Sequence, residues 1–153
     1  MRPRVTIGIA VYNGAKYLDQ AIQSVLAQTF TDFELIISDN ASTDSTEDVC
    51  REYAARDPRV RYTRSARDLG PAENYNRCFR AARGEYFKWH AHDDVCLPTF
   101  LERCVATLDA APGAVLCMPA TTTLMSSSLG NTAMPFGSAN QRLARVVFGR
   151  PRQ

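Results

Sequence analysis

Acidic and histidine side chains are missing from the C-terminal part of this 153-residue sequence. Residues 110–153 contain no Asp, Glu or His, so all 16 acidic residues precede residue 110. Because the composition changes so sharply, we expect a globular domain over residues 1–118. An incomplete or atypical segment then follows over residues 119–153. The charged side chains of the C-terminal part are those of Arg142, Arg145, Arg150 and Arg152.

The sequence also lacks the cysteine spacing of a disulfide framework or a zinc site. It contains five cysteines, an odd number, and no two of them form a CxxC pair. Such a set argues against both kinds of framework. We therefore expect small buried thiols in a reducing cytosol. The cysteines are Cys50, Cys78, Cys96, Cys104 and Cys117.

Neither a strong net charge nor a long apolar run is present. The net charge of +2 is too small to indicate binding to nucleic acid or to an acidic membrane surface. No apolar run approaches the roughly 20 residues of a membrane-spanning helix. Residues 1–4 lead directly into a strand-like run without the pattern of a signal peptide. These features predict a cytoplasmic protein.

Strand-like apolar runs alternate with segments whose apolar residues recur at helical spacing. This alternation with short links predicts an α/β fold, in which helices cover both faces of a mostly parallel sheet. Asp44 with Glu47 resembles a helix-capping box, and Gly84 stands where a helix C-cap glycine is expected. The predicted strands are 5–11, 33–38, 59–63, 85–89 and 114–118, with a short closing element at 146–148. The predicted helices are 15–28, 44–56, 70–82 and one that begins at Pro98 and ends before Pro112.

Polar side chains follow three of the predicted strands, at residues 12–13, 39–40 and 90–94. Ligands of parallel sheets bind beyond the carboxyl ends of the strands, so these side chains are expected on one edge. The Tyr12 ring can stack on a base, and the Asp39 carboxylate can accept the imide N–H of uracil. Adjacent carboxylates such as Asp93 and Asp94 suit Mg²⁺ or Mn²⁺ that keeps substrate phosphates as further ligands.

Each cluster alone is also compatible with an ordinary structural role. A Tyr-Asn or Asp-Asn pair occurs in turns and helix caps, and an Asp-Asp pair occurs in solvated loops. One of His90 and His92 is expected to be a buried, hydrogen-bonded histidine rather than a metal ligand. The functional interpretation is favoured because the clusters fall at the ends of three strands in order.

Taken together, the motifs resemble the family 2 inverting glycosyltransferases. The resemblance extends over about residues 4–118, and its strongest parts are 11–29, 33–46, 70–76 and 84–94. It implies a GT-A fold, which is a Rossmann-like, mostly parallel sheet flanked by helices and here apparently truncated at its C-terminus. It also implies transfer of a sugar from a nucleoside-diphosphate sugar, such as a UDP-sugar, to a saccharide or lipid acceptor with inversion. A lipid acceptor would bring the protein to the cytoplasmic face of a membrane.

The resemblance also implies residues that contact the nucleotide. The first nucleotide-contact motif of the family corresponds to Val11, Tyr12 and Asn13, and the aspartate that reads the base corresponds to Asp39. Further nucleotide contacts are expected from Asn40, from a loop carrying Arg67 or Asp68, from Asn74 on a nearby helix, and from Asp93.

The metal-binding DxD motif of the family corresponds to residues 92–94. Its last carboxylate, Asp94, is expected to bind Mn²⁺ or Mg²⁺. Its first position is occupied by His92 in place of the usual carboxylate, which makes this histidine a second candidate ligand of the metal.

The catalytic base of an inverting transfer is not identifiable in this chain. In the family it is a carboxylate well downstream of the DxD motif, whereas the last carboxylate here is Asp109, in a helix assigned to the donor half. We therefore expect a fragment or a natural truncation that can self-associate through exposed core surface. A non-catalytic nucleotide-sugar-binding module is the alternative. A nucleotidyltransferase with a related sheet is disfavoured because no Gly-rich phosphate loop follows the first strand.

Overall fold

A computed structural model describes residues 2–111, 113, 114, 116, 117, 148 and 149 of the chain. Within these residues, six strands and four helices alternate for most of the chain. The strands are β1 Val5–Val11, β2 Phe33–Asp39, β3 Val60–Arg64, β4 Tyr86–His90, β5 Leu116–Cys117 and β6 Phe148–Gly149. The helices are α1 Ala15–Leu26, α2 Thr46–Arg56, α3 Pro71–Arg80 and α4 Phe100–Ala110.

The strands form one sheet in the order β3-β2-β1-β4-β6-β5. The first four strands are mutually parallel, and β6 pairs antiparallel with both β4 and β5. The register aligns Val11 of β1 with Asp39 of β2, and Ile9 of β1 with His90 of β4. The carboxyl ends of β1, β2 and β4 therefore meet at one edge of the sheet.

One face of the sheet carries the larger hydrophobic core. All seven residues of β1 and of β2 are buried, as is typical of central parallel strands covered on both faces. The apolar stripe of α1 packs on this face through Leu18, Ala21, Ile22 and Val25. Side chains of α2 and α4 join the same core at Cys50, Leu101, Cys104, Val105 and Leu108.

The opposite face carries a smaller core in which α3 packs on β1 and β2. Close approach is possible here because β1 has a glycine at position 8. A Cβ at Gly8 would lie 2.8 Å from the Cβ of Cys78 on α3 and 2.9 Å from the Phe87 ring. This core is formed by Ala10, Ile36, Cys78 and Phe87, with Ala81, Ala82 and Trp89 at its margin.

The predicted mostly parallel sheet with helices on both faces is confirmed, and element bounds shift by only a few residues. The described part of the predicted fifth strand is Leu116–Cys117. Of the predicted closing element, Phe148 lies in β6, whereas 146 and 147 lie outside the described residues, as do residues 119–145. All five cysteines are free thiols, and three of them are buried. None of the described helices combines the length and apolar composition needed to cross a bilayer.

Two predicted helix-end signals are wrong. The Asp44 carboxylate accepts the Thr46 N–H (3.0 Å) and the Ala15 N–H (3.2 Å), so it joins two loops instead of forming a capping box. Glu47 correspondingly pairs with arginine side chains. Gly84 does not cap α3, which ends at Arg80; instead its N–H donates to Thr6 Oγ1 (2.8 Å).

Candidate functional site

A pocket of about 310 Å³ opens at the sheet edge where β1, β2 and β4 end. Its floor is formed by the end of β1, and its walls come from the loops after β2, β3 and β4 and from the start of α3. Two half-exposed tyrosine rings, Tyr12 and Tyr75, offer flat surfaces on which a planar ring can stack. The lining residues are Ala10, Val11, Tyr12, Asn40, Asp68, Pro71, Asn74, Tyr75 and His92.

Asn13 does not line this pocket, because its side chain joins two loops. Asn13 adopts a positive φ of 49°, a conformation that asparagine tolerates better than most residues. Its Oδ1 accepts the Thr43 N–H (2.8 Å), and its own N–H donates to Ser42 Oγ (2.9 Å). The loop after β1 is thereby fixed to the loop after β2, which holds the neighbouring Tyr12 at the mouth of the pocket.

Asp39 is completely buried and lies outside the pocket lining. Its Oδ1 accepts the Ser42 N–H (2.9 Å), and its Oδ2 accepts the Tyr62 hydroxyl (2.9 Å) and pairs with Arg64 Nε (3.3 Å). These contacts join β2 to β3 and to the loop that leads to α2. Burial and the nearby Asp39 charge raise the pKa of Tyr62, so its hydroxyl remains a donor at neutral pH.

Asn40 and Asp68 form a polar clamp at the side of the pocket. The Asn40 amide nitrogen donates to Asp68 Oδ1, and Asn40 Oδ1 accepts the Leu69 N–H (2.9 Å). The same Asp68 Oδ1 accepts the Gly70 N–H (2.7 Å). Of the two loop residues singled out from the sequence, Asp68 lines the pocket, whereas Arg67 is exposed and outside the lining.

Asn74 forms part of the pocket wall, but its side-chain amide already has its partners inside the protein. Its Oδ1 accepts the Ser38 hydroxyl (2.7 Å), and its nitrogen donates to the carbonyl oxygens of Ser38 (2.9 Å) and Val11 (3.2 Å). The residue is buried and joins α3 to the ends of β1 and β2. It therefore shapes the pocket, with little capacity left for a polar contact to a ligand.

The acidic loop after β4 begins beside the pocket at His92. The His92 ring packs on the backbone after β1, where a Cβ at Gly14 would approach its Cδ2 to 2.6 Å. Asp93 is exposed and Asp94 is half-buried. Burial and then the adjacent Asp93 charge raise the pKa of Asp94, while Lys88 and His92 act in the opposite direction.

The carboxylates of this loop fit a divalent cation that takes most of its ligands from a substrate. Among the described residues, no group of three or more His, Cys, Asp or Glu side chains is arranged to hold a metal ion by itself. Mg²⁺ and Mn²⁺ commonly bind through one or two carboxylates together with phosphate oxygens and water. Asp93 and Asp94 provide such a set, and a cation there would relieve their mutual repulsion.

A buried polar pair on β4 was not predicted as a unit. Lys88 Nζ lies 2.9 Å from His90 Nδ1 inside the larger core, and Cys96 Sγ lies 3.6 Å from the same nitrogen. Burial lowers the pKa of both Lys88 and His90. His90 is thus the buried histidine expected from the sequence, although its Nε2 has no hydrogen-bond partner in the described part of the chain. The sequence did contain a signal for this pair: Lys88 and His90 are two residues apart in an otherwise apolar strand and therefore lie on the same face of it.

Asp109 lies at the end of the sheet opposite to the pocket. Its Oδ1 accepts a hydrogen bond from Arg4, which precedes β1 (2.7 Å), and from the hydroxyl of Tyr86, the first residue of β4 (2.8 Å). The last carboxylate of the sequence is therefore remote from the pocket.

Comparisons with known proteins agree with this architecture. The family model described as glycosyl transferase family 2 matches residues 6–144. An uncharacterized glycosyltransferase of Rickettsia typhi is 37% identical over 107 residues, which are 70% of this chain and 32% of that protein. The chain thus spans about a third of the length of this relative.

Solved structures share the fold. The S. aureus TarS structure in complex with UDP has a TM-score of 0.66 at 24% identity, covering 70% of this chain and 32% of the TarS chain. The mannosyltransferase PcManGT from Pyrobaculum calidifontis, in complex with GDP-Man and Mn²⁺, also has a TM-score of 0.66. It is 27% identical and covers 76% of this chain and 35% of its own. Since the family model covers most of the sequence, the chain belongs to glycosyl transferase family 2.

Proposed function

We propose that this chain binds a UDP-sugar as the donor part of a glycosyltransferase that transfers the sugar, with inversion, to a saccharide or lipid acceptor. The observation that carries the proposal is the pocket at the carboxyl ends of β1, β2 and β4, which has tyrosine rings on its walls and the acidic loop at its margin. Its size and mixed lining suit a nucleoside. The neighbours with bound UDP or GDP-Man support a nucleotide-sugar as the ligand.

In this proposal the two ends of the donor contact different parts of the site. The base packs against the Tyr12 ring above the end of β1, and the diphosphate extends towards the loop of Asp93 and Asp94. These carboxylates hold Mn²⁺ or Mg²⁺, which when bound neutralises charge on the leaving diphosphate. A cation at this position would offset the burial and the Asp93 charge that together raise the pKa of Asp94.

The proton of the acceptor hydroxyl needs a separate base. No carboxylate follows Asp109 in the sequence, and Asp109 is bound to Arg4 and Tyr86 at the opposite end of the sheet. We therefore propose that donor binding is intrinsic to this chain, and that a group other than Asp109 serves as the base. Mn²⁺-dependent hydrolysis of the UDP-sugar measures the capacity of this chain to cleave the donor. Release of UDP would favour the enzyme, and UDP binding without release would favour a non-catalytic module.

Calorimetric titration tests donor binding directly. UDP, GDP and dTDP are each titrated with and without Mn²⁺ into the wild-type protein, Asp94→Ala and Asp48→Asn. We expect Mn²⁺-dependent binding with UDP preferred, and an affinity lower by about tenfold or more in Asp94→Ala. Asp48→Asn is the matched control, because it removes an exposed negative charge on α2 and should leave affinity unchanged. Equal affinity of the wild-type protein and Asp94→Ala in Mn²⁺ would remove Asp94 from the site.

A further inference from the structure

The carboxylate expected to read the base is not available to a ligand in this structure. Asp39 has no exposed surface, and both of its oxygens already have partners: Oδ1 accepts the Ser42 N–H, and Oδ2 accepts the Tyr62 hydroxyl and forms an ion pair with Arg64. A contact with a base would require one of these donors to leave a buried, charged acceptor. Breaking such a contact inside a protein is costly, because the remaining partners lose a charge-assisted hydrogen bond without solvent to replace it.

A second carboxylate is available in the pocket itself. Asp68 is exposed and lines the pocket, and its Oδ1 is held by the Asn40 amide and by the Gly70 N–H. Asn40 is in turn fixed by the Leu69 N–H and is itself buried. This clamp orients the carboxylate through one oxygen and leaves Oδ2 without a partner among the described residues. An oriented acceptor at the wall of a nucleoside-sized pocket is suited to a base N–H.

We propose that Asp68 reads the base of the donor by accepting the imide N–H of uracil at Oδ2, with Asn40 as its positioning residue. Asp39 then has a structural role, joining β2, β3 and the loop before α2. This inference rests on the proposed function, since it assumes a uracil nucleotide in the pocket. A single free oxygen matches the one N–H of uracil better than the two adjacent donors of guanine, which favour a carboxylate with both oxygens free.

Electrostatics makes the test selective. UDP is an anion, so removing the negative charge of Asp68 would by Coulomb repulsion alone strengthen UDP binding. A weaker affinity in Asp68→Asn therefore reports a lost hydrogen-bond acceptor. The same substitution keeps a carbonyl oxygen that can accept from Asn40 and Gly70, so the loop retains its clamp.

The experiment compares UDP with N3-methyl-UDP, which lacks the imide N–H, by calorimetry in Mn²⁺. The proteins are the wild type, Asp68→Asn, Asp39→Asn and the control Asp48→Asn, at a temperature where circular dichroism shows each to be folded. We expect the wild type and Asp48→Asn to prefer UDP by about tenfold or more. Asp68→Asn should bind UDP about tenfold more weakly and lose this preference. Asp39→Asn should unfold at a lower temperature and keep the preference, because stability and base reading are separate roles.

Two results would overturn the inference. If Asp39→Asn loses the preference for UDP while Asp68→Asn keeps it, then Asp39 reads the base. If the preference persists in both variants, the methyl group is excluded by pocket shape and neither carboxylate is its reader. Both results leave the proposed function intact, because the wild type still binds UDP. Failure of the wild type to bind UDP at all would instead refute the proposed function together with the inference.

Discussion

At the scale of the residue, Gly84 is required by the close approach of two backbone segments. A Cβ at this position would lie 2.5 Å from the Thr6 nitrogen and 2.7 Å from the carbonyl carbon of Val5. Backbone atoms of a central strand cannot rotate away as a flexible side chain can. The Gly84 N–H also donates to Thr6 Oγ1, so any displacement breaks a buried hydrogen bond.

We therefore expect Gly84→Ala to lower the free energy of unfolding by about 1–3 kcal/mol, the usual cost of overpacking. Gly113→Ala is the matched control, because a Cβ at Gly113 would meet no atom of the described residues within 4 Å. Urea denaturation followed by circular dichroism gives both values. Equal stabilities of the two variants would show that the backbone relaxes around the added methyl group.

The sequence allowed the position of polar residues at the sheet edge to be predicted, but not how their hydrogen bonds are distributed. Tyr12 and Asn40 line the pocket, because their places directly after buried strands follow from the alternation of apolar residues. Asn74 also lines the pocket and Asn13 does not, yet the amides of both bind the protein itself, as the amide of Asn40 does. Which partner an amide selects depends on contacts between distant segments, which local patterns do not encode.

At the scale of the element, strands and helices were predictable because most have a clear apolar period. Both β1 and β2 are rich in apolar residues and buried along their whole length, and α1 has a regular apolar stripe. Helix ends were less predictable. The Asp44 carboxylate is in reach of both the α2 start and the loop after β1, and it binds both. The capping-box pattern includes only residues at the start of one helix. It therefore did not predict the hydrogen bond that Asp44 accepts from the Ala15 N–H at the start of α1.

The strand β4 combines two faces of different chemistry. Phe87 and Trp89 point to the smaller core with α3, whereas Tyr86 joins the larger core, on the side where Lys88 approaches the Phe100 ring of α4. Lys88 and His90 are buried and bind each other there. A buried polar pair is tolerated when both members are satisfied, and it is destabilising when one is removed.

We expect His90→Leu to destabilise the protein by about 1–3 kcal/mol, because the Lys88 ammonium loses its nearest acceptor, His90 Nδ1 (2.9 Å), and keeps the Trp89 carbonyl and the weakly accepting Cys96 thiol. The double variant Lys88→Met, His90→Leu should recover most of this loss, because the remaining ammonium is replaced by an apolar side chain of similar length. Urea denaturation of the wild type, Lys88→Met, His90→Leu and the double variant gives the four free energies of unfolding that a double-mutant cycle requires. Additive losses would mean that Lys88 and His90 are not energetically coupled.

The same pair should make stability depend on pH. Burial lowers the pKa of His90 well below 6.5 and that of Lys88 below 10.5, so the unfolded chain binds more protons than the folded one. Their contribution is therefore lost as pH falls, with the His90 part lost below about pH 6.5. Asp94, whose pKa is raised, acts in the opposite direction, and the facing Cys96 and Cys104 remain neutral thiols. Between pH 8 and 5, the wild type should lose more stability than the double variant in urea titrations.

At the scale of the whole molecule, the two faces of the sheet are covered unequally by described residues. The larger core is covered by α1, α2 and α4, whereas the smaller core is covered by α3. Beside α3, the Phe79 ring stacks on Trp89 (5.7 Å between centroids) and meets Phe87 edge-on (5.2 Å). Phe79 and Tyr75 remain more than a third exposed. Among the described residues, Tyr75, Phe79 and Trp89 form an aromatic face over the buried Phe87, and an apolar surface of this kind is suited to association.

The β3 edge of the described sheet is a less favourable surface for association. Its outer strand β3 carries Arg61 and Arg64, which pair with Glu34 and Glu47 of neighbouring elements. Charged side chains on an edge strand oppose pairing with another copy. Self-association of this chain, which its composition predicts, should therefore use the aromatic face rather than strand pairing at β3.

Sedimentation velocity over a range of protein concentrations tests this expectation. We expect Phe79→Ser to weaken self-association by about tenfold, since removal of an aromatic side chain central to an interface commonly has an effect of this size. Leu97→Ser is the matched control, because it removes a more exposed apolar side chain (76% against 37%) in the loop before α4. An equal effect of both variants would indicate nonspecific adhesion of exposed apolar groups. A concentration-independent monomer in the wild type would contradict self-association itself, and the aromatic face would then be tolerated as exposed surface.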